Sequence, residues 1–317
     1  MADGKWIDGL NAGIPVAAAA RLVLAQRFAV VCTHLPLAVE RPYEDSEYVH
    51  QLRVGTRRAR AALEVFRECL PKKDVKEAKA ALRKIRRAAG DARDWDVFIH
   101  SLQTARPLQI ASGKPTLDFL LGYAFGQRSA AQIRLTEAAQ RTGPKLIERS
   151  TALTERIREP RTDAIPESFG DLAVFDLGER LEQFTLSVQT DPSEAADLHK
   201  LRILGKHLRY AIEIFAPCFE PSLKEKLYPA VEALQELLGG LQDAAVGIER
   251  LEGLRSMAQQ SMPTEWTRLK PGIAKIMQGL RAKLRAGRKR FQTWRTGWEM
   301  VVGEHPLKVM EAQPIAE

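Results

Sequence analysis

His50, Arg53, Arg57 and Arg60 stand at helical spacing in the stretch HQLRVGTRRAR, and the spacing returns 149 positions later in HKLRILGKHLR as His199, Arg202, Lys206 and Arg209. On a helix turning about 100° per residue, each set, with Glu64 or Glu213 added, falls within an arc of about 80°. Guanidinium, ammonium and imidazole groups on one face make a row of positively charged hydrogen-bond donors. Such a row suits oxyanions. Each charge-assisted bond contributes roughly 1.5 to 3 kcal/mol when well formed, and the arginine fork engages two oxygens at once. For His50 and His199 two roles stay open: phosphate donor, with the anion favouring the charged imidazole, or a structural bond between helices. A phosphohistidine intermediate has no acid or metal constellation to support it. No GxxxxGK[ST], GxGxxG or GxSxG segment occurs. The histidines (His34, His50, His100, His199, His207, His305) and the cysteines (Cys32, Cys69, Cys218) never reach metal-ligand spacing. No catalytic residue, metal or cofactor is therefore expected, and the chain reads as a binding protein rather than an enzyme.

The helices that carry these rows have an apolar stripe beside the charged one. Val49, Leu52, Ala59, Leu63 and Phe66 are answered by Leu198, Leu201, Leu208, Ile212 and Phe215. The offset of 149 also superposes Cys69 on Cys218, Gly90 on Gly239, Asp94 on Asp243 and Val97 on Val246. A fixed offset over about fifty positions implies two structurally equivalent halves. Alternating runs of Val, Ile and Thr are scarce, while Ala, Leu, Arg, Glu, Lys and Gln dominate, so the fold class is all-α.

In chain order, residues 1–13 are expected as a flexible tail and Val16 to Leu35 as a first helix ended by Pro36. The acidic link from Glu40 to Glu47 leads to the first basic helix, with Ser46 as its N-cap. A third helix follows from Lys72 to Ala89, with Lys76, Lys79, Arg83, Arg86 and Arg87 on one broad face. GDARDWDV is expected as a turn feeding a short helix, where Asp94 and Asp243 either cap that helix or hold an arginine of the basic row. Capping is the default reading. A loop over Arg106 to Pro115 leads into a helix reaching Thr142, which Lys145 to Arg158 extends or follows. Pro160 to Gly170 marks the boundary between halves. The second half repeats the plan over Ala173 to Gln189, Glu194 to Phe215, Ser222 to Leu238 and Gln242 to Ser256, with a last helix from Thr264 to Trp298. This gives one repeat over 14–160, another over 165–300, and a second flexible tail over 301–317.

Charge is uneven along the chain. The formal total is +8, yet His50 to Arg93 alone holds 14 Lys or Arg against 5 Asp or Glu, and Lys270 to Arg295 holds nine basic residues and no acid. The remainder is net acidic, so positive charge is localised and an anionic partner is expected. In the last helix, Lys283, Arg285, Arg288, Lys289 and Arg290 either contact a polyanion or are merely solvated. Phe291 and Trp294 either stack on nucleic-acid bases or belong to the core, and at helical spacing the core is the commoner place. Arg58 and His207, about 100° around their helices, either contact the polyanion or belong to a solvated face, and the solvated face is at least as well supported. Three cysteines without a CxxC motif fit a reducing compartment. The opening MADGKWIDGL lacks the regions of a signal peptide, and the longest apolar runs are read as too short for a membrane span. A cytoplasmic protein without membrane contact is expected.

The basic helix with its leading histidine, repeated as HKLRILGKHLR, and the segment GDARDWDV, answered by LGGLQDAAV, resemble the CHAD family of histidine-containing α-helical domains. The likeness spans about Val16 to Trp298. It implies two four-helix bundles related by a pseudo-twofold axis, with a basic surface and central channel that binds inorganic polyphosphate, and an association with polyphosphate granules. The residues expected to contact the chain of phosphates are His50, Arg53, Arg57, Arg60, Lys79, Arg83, Arg86, Arg87, Arg93, His199, Arg202, Lys206, Arg209, Lys283 and Arg288. Some family members are fused to a triphosphate-hydrolysing CYTH domain, but this chain lacks the ExExK signature of one, so hydrolysis does not carry over. The second half also departs from the pattern, with Gln242 where Arg93 stands and Lys206 and His207 in place of Arg57 and Arg58. A nucleic-acid binder is the alternative, and a metal-dependent polyphosphate or triphosphate hydrolase a third.

Overall fold

Helical periodicity is realised almost throughout the chain. A computed structural model describes residues 4–159, 168–192 and 194–304. These hold eight α-helices and no strand: α1 (Val16–Glu40), α2 (Glu47–Val65), α3 (Lys72–Gln103), α4 (Lys114–Glu155), α5 (Phe169–Gln189), α6 (Ala195–Phe215), α7 (Tyr228–Ser261) and α8 (Pro263–Glu304). A short 3-10 turn follows both α2 and α6. The two turns, Arg67–Cys69 and Ala216–Cys218, are separated by the same offset as the basic rows.

The apolar stripes form the core. Val49, Leu52, Ala59 and Leu63 of α2, and Leu201, Leu208, Ile212 and Phe215 of α6, are wholly buried, and each of them except Ala59 contributes about 1.5 to 3 kcal/mol by leaving water. In the first half α1 packs on α2 and α4, and α3 on α2 and α4; in the second α6 packs on α5 and α7, and α7 on α8. The halves meet in two places. Near the chain's start, α2 packs on α6, and Phe66 and Phe215 both lie against Phe169, with ring centroids 6.2 and 5.3 Å away. There too a single antiparallel bridge joins Pro15 to Ser168, and Gly170 N–H donates to the Ala12 carbonyl at 2.8 Å. A side chain at Gly170 would sit 2.8 Å from the Ala12 methyl, so the approach requires glycine. At the far ends of the long helices, a separate apolar cluster joins Phe98, Leu102 and Leu120 to Leu251, Leu254, Ile273 and Met277.

Several boundaries differ from those the sequence suggests, each for a packing reason. Helix α1 runs through Pro36 and α4 through Pro144. A proline inside a helix removes one backbone bond, and burial of Leu35, Ala38 and Leu146 on the flanking turns outweighs that loss. The turns expected at Gly90 and Gly239 are absent, because α3 and α7 are each continuous there. Gly90 lies beside the Arg53 guanidinium, which an added methyl would meet at 3.8 Å, an ordinary contact. Asp94 and Asp243 are therefore mid-helix and cap nothing. Ser46 makes no side-chain cap bond; the Asp45 carboxylate accepts from the Glu47 N–H at 2.7 Å. Residues 4–13, expected as a loose tail, pack through buried Ile7 and Leu10. Helix α8 continues to Glu304, past the expected start of the second tail. Residues 160–167 and 305–317, with most of the expected boundary segment, the rest of that tail and His305, lie outside the described residues.

The membrane expectation also needs amending. Helix α1, with a mean hydropathy of 1.6 over its best window, is long and apolar enough to span a bilayer by composition. It lies against α2 and α4 and carries the buried Arg27, the disposition of a core helix.

Candidate functional site

The basic rows of α2 and α6 converge, and beside their crossing the surface opens into a cleft of about 760 Å³. Arg53, Arg57 and Arg60 of α2, Arg86 of α3, Lys206 and His207 of α6, and Arg180 of α5 line it. The helical spacing does this work: three arginines at intervals of four and three residues rise along one face of α2, and Lys206 stands opposite on α6. Glu64, Glu68, Asp176 and Glu179 also line it, and all four already accept from neighbours, Asp176 from Arg180 and Glu179 from Gln183. Arg67 Nη1 donates to Glu64 at 3.2 Å and its Nε to Glu68 at 3.1 Å.

Unmet hydrogen bonding gathers at and beside the cleft, although buried donors of Arg27, Arg128 and Arg209 elsewhere share it. The buried Nε–H groups of Arg57, Arg60, Arg86 and Arg202 find no acceptor among the described residues. A buried donor left unpaired costs about 1 to 3 kcal/mol, more when charged. The crowding of like charges also shows in the ionisation of these groups. Burial, and then the neighbouring arginines, push Arg86 below its ordinary value; burial does the same first for Arg57 and Arg202. Lys206 is pushed down to about 7 by burial and by Arg202, Arg57, Arg53 and Arg86. His50 is lowered by burial and by Arg93, with Arg57 and Arg53 adding to it. His50, Arg93 and Arg202 thus lie in the field of the cleft arginines without lining the opening itself.

Arg53 leaves the cleft in part to reach α3. Its Nη1 donates to Asp94 at 2.6 Å and to the Gly90 carbonyl at 3.4 Å. Asp243 on α7 lies in the field of Arg202, Asp94, Lys283 and Arg53. The GDARDWDV motif therefore supplies carboxylates rather than a cap. Asp94 fixes Arg53, while Asp96 fixes the buried Arg128 of α4 at 2.6 Å.

The other expected residues are spread more widely. Lys79 pairs with Glu64. Arg209 turns toward Glu213 and Glu232, at 3.9 and 3.6 Å, and Arg288 toward Asp191 at 3.7 Å. Arg83 and Arg87 are exposed along α3, His199 is exposed on α6, and Lys283 is exposed on α8 beside Gly240. None of these lines the cleft. Phe291 and Trp298 are buried, and Trp294 stacks on both and donates its indole N–H to the Ala230 carbonyl at 2.8 Å, so this aromatic ladder is core and offers no platform for a base.

Arg58 overturns its reading as a solvated residue. It is 3% exposed and grips Glu213, itself fully buried, through Nε at 2.6 Å and Nη2 at 3.1 Å. Tyr228 donates to the same carboxylate at 2.9 Å, and Arg27 of α1 stands 3.8 Å away. The residues at the matching offsets, His207 for Arg58 and Glu64 for Glu213, both lie at the cleft. One pair is sealed inside the crossing of α2 and α6, and the other opens to solvent. Arg180, which donates to Asp176 at 2.6 and 2.8 Å, was not legible as a cleft residue, because Val31 stands at its matching position.

A family model described as the CHAD domain matches residues 22–252. The fold is similar to the crystal structure of the CHAD domain from the plant Ricinus communis, with 21% identity and a TM-score of 0.69 over 95% of this chain and 96% of that one. It is also similar to PptA from Streptomyces chartreusis, with 16% identity and a TM-score of 0.66 over 89% of this chain and 100% of that one. No curated protein matches the chain.

Proposed function

Because the chain belongs to the CHAD domain family, we propose that it binds inorganic polyphosphate, with the cleft beside α2 and α6 as the principal contact and the cations of α3 as its extension. The observation that carries this reading is the set of unpaired Nε–H donors of Arg57, Arg60, Arg86 and Arg202 around Lys206. A linear polyanion provides an acceptor at every repeat and no base or ring, so affinity must come from many charge-assisted bonds. Helices packed at a shared core hold those donors in place before the ligand arrives, which lowers the ordering cost of binding. The repeated row, and the pseudo-twofold relation between halves that it implies, suit a repeating ligand. On this reading the protein binds without turning over its ligand, and targets or organises polyphosphate granules in the cytoplasm.

Calorimetric titration with long-chain polyphosphate tests the proposal. Affinity is expected to rise with chain length and to fall steeply with salt, as it does when counterions are released from nucleic acids. No binding near 0.15 M salt would refute it. Competition by RNA or duplex DNA at equal phosphate concentration would favour a generic nucleic-acid binder instead.

A pH dependence follows from Lys206. With its ammonium form pushed down to about 7, the amine is largely neutral at pH 8, and a bound phosphate chain restores its charge by raising that value. Binding then takes up a proton. Below about pH 7 the amine is already charged and the linkage vanishes, whereas affinity declines as pH rises from there toward the ordinary lysine range. Titrations at pH 8 in two buffers of different ionisation heat should show uptake approaching one proton, and the Lys206→Met chain should show much less. Equal uptake by both chains would assign the effect to another group.

A further inference from the structure

Lys206 is placed unlike the other lysines near the cleft. Lys79 is paired with Glu64 and Lys283 is exposed, but Lys206 is half-buried in the cleft wall, and the charges acting most strongly on it are those of Arg202, Arg57, Arg53 and Arg86. No carboxylate stands among those charges. An amine desolvated and crowded by cations is the arrangement that turns lysine into a nucleophile near neutral pH. The surrounding guanidinium groups with unpaired Nε–H bonds are, at the same time, a dock for a phosphate group.

We propose that Lys206 is an acylation site for small acyl phosphates, whose phosphate docks on Arg57 and Arg86 while the acyl carbon meets the amine. This rests on the anion-binding reading of the cleft and extends it to a modification. The Nζ lone pair adds to the acyl carbon, and the bond from that carbon to the bridging oxygen breaks. Inorganic phosphate leaves with the electron pair, the amine proton passes to it or to water, and an amide remains. Nothing is oxidised or reduced. The product carries no charge, so acylation removes a cation from the centre of the site and lowers affinity for a polyanion by about tenfold, the worth of one charge-assisted bond. A metabolically generated acyl phosphate would in this way weaken binding without touching the fold.

The test is incubation of the full chain with acetyl phosphate near pH 7.5, with the rate at each lysine read by peptide mass spectrometry. Lys206 is expected to acylate at least about tenfold faster than Lys79 and Lys283, and tripolyphosphate should abolish that preference. A thioester donor matched in its rate toward free lysine, but without phosphate, should show a much smaller preference. The Arg86→Gln chain, once its circular dichroism is shown to be unchanged, should lose several-fold in rate at Lys206. Lys206 reacting no faster than Lys283, or equally well with the thioester, overturns the proposal. Polyphosphate titration of the same unmodified sample separates the failures: intact binding without preferential acylation sinks the modification alone, and loss of both sinks the cleft.

Discussion

A chain carrying Arg57→Glu together with Lys206→Glu is expected to bind long-chain polyphosphate at least about 100-fold more weakly than the unaltered protein, with the same helical circular dichroism. Two charge-assisted contacts at roughly 1.5 to 3 kcal/mol each correspond to about 10² to 10⁴ in affinity, and the new carboxylates add repulsion. This pair is the most informative one to reverse. The residues occupy matching positions of the two halves and face each other across the cleft wall. Neither is held by a carboxylate among the described residues, so reversal strands no acid, and it eases the like-charge crowding that adds to burial in lowering both groups. Arg53 with Arg202 would be a poorer choice, because Arg53 already answers Asp94 at 2.6 Å. Calorimetry decides the matter, and undiminished binding by the double variant would mean that the phosphate chain lies elsewhere.

The second large effect concerns stability. Glu213→Ala is expected to lower the free energy of unfolding by about 3 to 5 kcal/mol, the usual consequence of removing one partner from a buried ion pair. Glu213 is fully buried and receives Arg58 through two bonds, Tyr228 through a third, and Arg27 at 3.8 Å. Its loss takes the shared carboxylate away from two buried guanidinium groups, those of Arg58 and Arg27. The natural control is Glu64→Ala at the matching position. Glu64 is 45% exposed and pairs with Lys79 and Arg67, contacts that screening by water keeps below about 1 kcal/mol. Urea denaturation of the two single variants should therefore differ by several kcal/mol, and near-equal losses would show that the buried network contributes little.

The comparison of these two glutamates shows what could and could not be read from the amino-acid order. The helical class, the paired basic helices and their buried stripes were legible, because periodicity and a fixed offset are properties of the order itself. Where a matched pair of residues ends up was not. Arg58 and His207 are indistinguishable by spacing, yet one is sealed within the crossing and the other edges the cleft, since that depends on which side of α2 its partner helix crosses. The continuous helices α3 and α7 were missed for a related reason. Gly90 and Gly239 read locally as breaks, whereas buried Ala89 and Ala92 on one flank and Leu237, Leu238 and Ala244 on the other hold the backbone in place. Arg180 had no counterpart to betray it, and the two aspartates of GDARDWDV declared their separate partners, Arg53 and Arg128, only when α2 and α4 were placed beside α3.

The halves share one central apolar cluster and are joined again at the tips of the long helices. Packing therefore holds the halves together in addition to the peptide link between α4 and α5. Two polypeptides made by cutting the gene there would each expose much of a common interior. They should be insoluble when produced singly, yet reconstitute the native particle when co-expressed.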